Sequence, residues 1–479
     1  MTSSVAPFAV ARRVPRAARG VRVPAHERLN LANGATLIVV PRRDLPLLAF
    51  SALLRGGARC DPSDRAGVSA LVAGLIGKGA GTGGAFAFAD AVARAGGTFS
   101  AHSTPDYLLA GGQFLAAHQG RMLELLATAL LEPRWPRPEL EALRTRQIEL
   151  IKAAKDSDPA ELLGAYGRAF LFRRHPYGRA ITGSEASLAA LGIDDARRYY
   201  RAHCGGDRLV LVFAGDVNAP RLVDAAAQAF GDWRRARTPL APLAAAHAPR
   251  RRRVLLIDLP GAAQSYFWIG GLGVERRYPR RAALELVNTL FGGRFTSLLN
   301  TELRIRAGLT YGAGSSFTRG AARGEFAIRS FTQAKHTCQA LDLALGALAR
   351  LKRDGVSAQM LDSARTYVLG QYPLAFETAA DWAAALAELE AYGLTADHID
   401  QYEAALRAVT VADARAVIDE AFPPPERCVL VVIGDAEILR APLARYGELT
   451  EMPLVRPSFA APSRRHTARA VCRRPRAHP

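Results

Sequence analysis

One strand–turn–helix signature occurs twice in this chain. RLVLVFAGDVNAPRLVDAAAQAFG (208–231) is matched in element order by RCVLVVIGDAEILRAPLARYG (427–447), with Gly215-Asp216 and Gly434-Asp435 at the same turn. The segments that open each half match as well. LIVVPRRDLPLLAFSALLRGGARCDPSDRAGVSALVAGLIGKG parallels RVLLIDLPGAAQSYFWIGGLGVERRYPRRAALELVNTLFGG: strand, strand, glycine turn, apolar helix. A repeat of this size means a duplicated unit rather than one large core, and 479 residues exceed what one ordinary core organises. The predicted architecture is α+β: two homologous units, each a largely antiparallel sheet packed with helices.

In the first half, Asn33-Gly34 is a hairpin signal before β-rich stretches at 36–40 and 47–54. Helices are predicted at 67–79 and 86–96, then two strands within 96–115 around Thr104-Pro105-Asp106. Helices follow at about 117–131, 138–157 and 159–172 and, after the loop HPYGR (175–179), at 185–191 and 193–203. Residues 234–252 hold no sustained apolar period and read as a linker. In the second half, helices are predicted at 334–353, 358–370, 375–391, 396–406 and 411–421. The resulting boundaries are a disordered arm 1–21, a first domain 22–233, the linker 234–252, a second domain 253–450 and a basic disordered tail 451–479.

The net charge of +19 suggests a nucleic-acid binder until it is located. Residues 1–26 carry five arginines and 452–479 carry seven, with no acid in either, so the tails supply most of the excess. The body is mildly basic, and no nucleic-acid partner is expected. No run of apolar residues is long enough to span a membrane. The five cysteines, Cys60, Cys204, Cys338, Cys428 and Cys472, are odd in number and form no CxxC, which fits scattered thiols. The N-terminus places Arg after a short apolar stretch, the reverse of a secretory signal. A cytoplasmic location is expected, or a periplasmic one if the start codon is misplaced.

The densest chemistry lies in NTLFGGRFTSLLNTELRIRAGLTYGAGSSF (288–317). An apolar helix breaks at Gly292-Gly293, resumes through Leu298, Leu299 and Leu303, and turns at Gly308 into a short strand. Arg304 and Tyr311 lie on either side of that turn. A guanidinium fork donates to carbonyls or carboxylates, and a phenol can donate to a developing oxyanion. Taken alone, such a pair reads as a surface ion pair and a core tyrosine.

The whole stretch, with its LxxELRxxxGLxY pattern, resembles the C-terminal half of the M16 (pitrilysin, insulinase, processing peptidase) family. There the Arg/Tyr pair helps to hold the peptide substrate, which implies that role for Arg304 and Tyr311. The resemblance also implies that the two homologous units face each other like a clam shell. Family peptidases also carry HxxEH on the first domain's opening helix, two histidines gripping zinc and the glutamate activating water. The matching positions here are Ala70, Leu71, Val72, Ala73 and Gly74, so both histidines (Ala70, Gly74) and the glutamate (Ala73) are gone. The further glutamate ligand would fall near Glu149. His102, on the predicted strand FSAHS, reads as a solvated strand residue, and His175 as a loop-structuring one. GKGAGTGG (77–84) lacks Walker spacing.

The resemblance therefore implies a non-catalytic, substrate-binding subunit of a heterodimeric zinc metallopeptidase. This chain would hold no cofactor; zinc would sit in an HxxEH-bearing partner subunit, and the substrate would be a peptide. Strand 98–103 offers an edge for β-addition. The alternative is a structural or peptide-binding scaffold of the same fold. A pure scaffold has no need of an Arg/Tyr pair aimed into a cleft.

Overall fold

The computed structural model describes residues 20–81 and 83–462. Most of the expected N-terminal arm, the end of the expected tail with Cys472, and Thr82 of the glycine loop lie outside them.

Two six-stranded sheets carry the duplication. The first contains β1 (Glu27–Asn30), β2 (Thr36–Pro41), β3 (Leu47–Arg55), β4 (Ser100–Ser103), β5 (Tyr107–Leu115) and β6 (Leu209–Gly215), in the order β1-β2-β6-β3-β5-β4. The second contains β7 (Arg253–Asp258), β8 (Gln264–Leu272), β9 (Ala313–Phe317), β10 (Glu325–Gln333), β11 (Val429–Gly434) and β12 (Glu448–Pro453), in the order β9-β10-β8-β11-β7-β12. Read from opposite ends, five strands correspond one for one. In each sheet the closing strand of the repeat runs parallel to the opening one (β2 with β6, β7 with β11) and antiparallel to the second. The sixth position differs: β1 pairs antiparallel to β2, whereas β12 runs parallel to β7.

The central strands are apolar at every position because both faces are covered. In β6, Leu211 and Phe213 join the core of the first unit, while Val210, Val212 and Ala214 face the other way. That second face takes Val21 and Val23 from the segment before β1, but most of its cover comes from the other unit. It is sealed by a helix of the second, Ala379–Tyr392, through Trp382, Ala383, Leu386 and Ala387. The exchange is reciprocal. Helix Leu163–Phe172 of the first unit lays Tyr166 and Phe170 on the second sheet, against Leu255, Trp268, Val431 and Ile433. Gly167 is required there: a Cβ would sit 2.6 Å from the Trp268 ring. Two of the three apolar clusters thus draw side chains from both units.

Residues 234–252 contain neither helix nor strand and lie on the first unit. Arg208 donates to the Thr238 carbonyl at 2.6 Å, and His175 Nε2 is 3.0 Å from the Ala244 carbonyl.

Three expectations are corrected. The tail does not begin at 451. β12 runs through that position to Pro453, and the chain continues as a strap over the first unit: the Pro457 carbonyl accepts from Ala186 N at 2.8 Å, and Phe459 meets Tyr166 edge-on at 4.9 Å. Two well-placed apolar residues, Leu454 and Phe459, anchor a stretch that composition marked as tail. The helix expected over 67–79 stops at Leu75, because Gly77 and Gly79 take positive φ (82° and 150°) and turn the chain into a two-residue hairpin. The helix expected over 396–406 is two, Asp397–Asp400 and Tyr402–Ala408.

Candidate functional site

The degenerate motif lies on α1 (Val68–Leu75), whose N-terminus is held by Asp61: its carboxylate accepts from Gly67 N at 2.8 Å and Ser69 N at 3.1 Å. Burial pushes the Asp61 carboxyl up to about 7 despite these bonds. Ala73 is buried, and a Cβ on Gly74 would sit 3.2 Å from the Leu143 side chain of α2 (Arg137–Ser157). Alanine and glycine offer no donor atom, and leucine occupies the facing space. Glu149, also on α2, points to solvent and pairs with Lys152 at 2.9 Å. His102 is exposed on the edge strand β4. Among the described residues no group of three or more His, Cys, Asp or Glu side chains converges to hold a metal, so the donor set on α1 does not fit zinc. His175 caps the turn after it, its Nδ1 accepting from Tyr177 N at 3.1 Å, which leaves Nε2–H to donate to Ala244.

The segment bearing Arg304 and Tyr311 is built differently. Helix α3 (Arg281–Asn288) widens into a π-helical turn over Thr289–Gly293, where Gly292 lets the chain press onto β9; a Cβ there would lie 2.4 Å from Ser315 N. Ser297 caps a short helix, Leu298–Asn300, that continues as a second wide turn, Thr301–Arg306. Leu299 and Leu303 plunge into the core, which turns Arg304 and Ile305 outward. Gly308, at φ 62°, donates to the Arg304 carbonyl and reverses the chain.

Tyr311 follows on a bend that is pinned on both sides. Thr310 is buried, and its hydroxyl donates to the Gly312 carbonyl at 3.0 Å and accepts from Ser330 at 3.2 Å. Asn300 Oδ1 accepts from Ala313 N at 2.8 Å. Between those anchors the Tyr311 ring is 83% exposed. Among the described residues Arg304 makes no ion pair. The acid two residues away, Glu302, is taken by Arg306 at 2.7 Å and Arg350 at 3.1 Å. The Arg304 guanidinium rests 4.6 Å over the ring of Phe295, itself 60% exposed. No hydrogen bond joins Arg304 to Tyr311. Phe295, Ile305 and Tyr311 are each exposed, and of these Phe295 is the one in contact with Arg304.

Sequence reasoning missed the supports: Phe295, Asn300, and Asn288, whose side chain bonds both Oγ and the carbonyl of Ser315. The signal available was two asparagines inside an otherwise apolar helix, where a buried amide needs partners. The Asn288 and Asn300 bonds also occupy outward groups of β9, so this edge is capped, whereas β4 alternates exposed and half-buried residues.

Residues 190–368 match the family model described as the Peptidase M16 inactive domain. The chain is similar to M16 peptidases and their inactive relatives. It is 24% identical over 352 residues to the uncharacterized zinc protease YmxG of Bacillus subtilis, covering 74% of this chain and 85% of that protein. It is 23% identical over 358 residues to a Helicobacter pylori protein named a non-peptidase homolog, covering 74% and 81%. Among solved structures, the M16 inactive domain from Pseudomonas fluorescens superposes with a TM-score of 0.80 at 23% identity, over 86% of this chain and 98% of that one. A Helicobacter pylori protease superposes with a TM-score of 0.78 at 18% identity, over 86% and 99%.

Proposed function

We propose that this chain is the non-catalytic, substrate-binding subunit of a two-subunit zinc peptidase. The observation that carries this reading is the state of Arg304: a guanidinium whose neighbouring acid is neutralised by two other arginines, seven residues before a tyrosine held out into solvent by buried anchors. A guanidinium kept for packing would have kept Glu302. Arg304 would hold carbonyls of an extended peptide, and the Tyr311 hydroxyl would donate to the scissile carbonyl as negative charge develops on it. The zinc and its HxxEH helix would come from a partner subunit, since α1 lacks every donor for them.

A native pull-down of the tagged chain from its own cells, with partners identified by mass spectrometry, tests this. A near-equimolar HxxEH-bearing M16 protein supports the reading. Recovery of the chain without such a partner turns it toward a peptide-binding scaffold, the second reading, which the name of the Helicobacter pylori relative favours.

A further inference from the structure

Between the two units lies a cavity of about 180 Å³, walled on one side by Arg59, Asp106 and Tyr177 and on the other by Arg319, Glu325 and Tyr392. Its floor is a latch. Asp106 is buried, sits 2.8 Å from the Tyr177 hydroxyl and 3.1 Å from that of Tyr392, and accepts from Ala321 N at 2.9 Å. Gly320 is needed for this approach, since a Cβ would lie 2.4 Å from the Tyr177 hydroxyl.

The charges lining the cavity do not cancel. Each acid has its own cation: Asp106 has Arg59 at 3.8 Å, Glu325 has Arg168 at 3.4 Å, and Glu388 has Arg276 at 2.7 Å. Arg319 has only a long ion pair. Its side chain is 19% exposed, it makes no hydrogen bond among the described residues, and its carboxylate partner, Glu285, is 4.0 Å away. Its guanidinium is held below the ordinary arginine range by burial first and by Arg276 second. Nearby Arg281 lies 4.0 Å over the Tyr402 ring and has no carboxylate partner among the described residues. A mostly buried guanidinium held by one distant carboxylate and no hydrogen bond keeps its N–H groups free for a further acceptor.

We propose that this junction cavity is a binding site for a small oxyanion, a phosphate or a carboxylate, with Arg319 as its principal donor. A cavity of this size has room for a phosphate or a short carboxylate. Because both units line the site, an occupant would hold them together and raise the stability of the whole chain in proportion to its occupancy. The inference is independent of the peptidase reading.

The test is calorimetric titration and thermal melting of the full chain with inorganic phosphate, and in parallel with malonate, against sodium chloride at matched ionic strength. Expected is saturable, one-to-one binding with a raised melting temperature; the tighter of the two probes names the ligand class. Arg319→Gln should weaken binding by about tenfold or more, while its ligand-free melting temperature stays close to that of the parent, since the ion pair it removes is long and its partner Glu285 is 41% exposed. If Arg319→Gln does not fold, Arg319→Lys keeps the charge without the fork and should bind severalfold less tightly. No saturable response to either probe beyond the chloride control overturns the proposal, as does unchanged binding by the variant that folds.

Discussion

The side chain of Asn300 and the backbone of Ala313 are joined by one hydrogen bond, Oδ1 to N at 2.8 Å, and that bond ties the turn carrying Arg304 to the strand that follows Tyr311. Both groups are buried. Replacing Asn300 by leucine strands the Ala313 N–H, a loss of about 1–3 kcal/mol. Asn300→Asp keeps the acceptor and should lose much less. In the assembled peptidase the leucine variant should also lose turnover at saturating substrate, because the spacing of the two donors relaxes. Melting curves and steady-state kinetics of both variants decide this; equal behaviour would mean the bond positions nothing.

Tyr311→Phe removes one hydroxyl from an exposed ring, so stability should not change. Turnover of the complex should fall by roughly a hundredfold if that hydroxyl donates to the reacting carbonyl. Arg304→Ala should raise KM for peptides more than it lowers kcat. Neither should dissociate the subunits, which gel filtration can check. Full activity in both variants would remove the assigned roles.

Trp382 is the largest side chain sealing the outer face of the first sheet. Trp382→Ala should cost about 3–5 kcal/mol, read as a shift in the urea midpoint. The loss should appear in probes of both units at once, because the cavity opens at their shared interior. A biphasic transition with the second unit unaffected would contradict the description of this cluster as shared between the units.

Acid should unfold this protein partly through His398. Burial and the nearby Arg281, Arg276 and Arg319 push its imidazole down to about 3, against 6.5 in an unfolded chain. The unfolded state therefore binds the extra proton first. The contribution is complete above pH 6.5 and is lost progressively as pH falls toward 3. His175, lowered by burial, acts in the same direction. Asp61 acts oppositely: with its carboxyl raised to about 7 from 3.8, its burial penalty eases on acidification across that window. Urea midpoints at pH 7.5 and 4.5 should show a smaller acid loss in His398→Gln than in the parent. An equal loss would assign the acid sensitivity elsewhere.

The duplication was legible because Leu209–Gly215 and Val429–Gly434 are uninterrupted apolar runs, each ending in the same Gly-Asp turn; the order in which the strands pair was not. The emptied motif at Ala70, Ala73 and Gly74 was equally plain, since donor atoms are either present or not. What covers each sheet was not legible. Tyr166 and Trp382 announce buried helix faces, but nothing local says that each belongs against the other unit's sheet. Asp106 read only as a turn residue after Thr104-Pro105, and its three partners come from positions 71 to 286 residues away. Phe459 was hidden by the arginine-rich composition around it.

The exchange of helices also sets a timetable for the chain on the ribosome. The first sheet has its last strand at Gly215, yet the helix that seals its outer face ends at Tyr392. At ordinary synthesis rates that interval is about ten to thirty seconds. Throughout it, a sheet surface made of Ile38, Val40, Leu53, Val210 and Val212 waits uncovered. The nascent first half is thus a ready client for holding chaperones, and its maturation is governed by arrival of the second half rather than by its own completion.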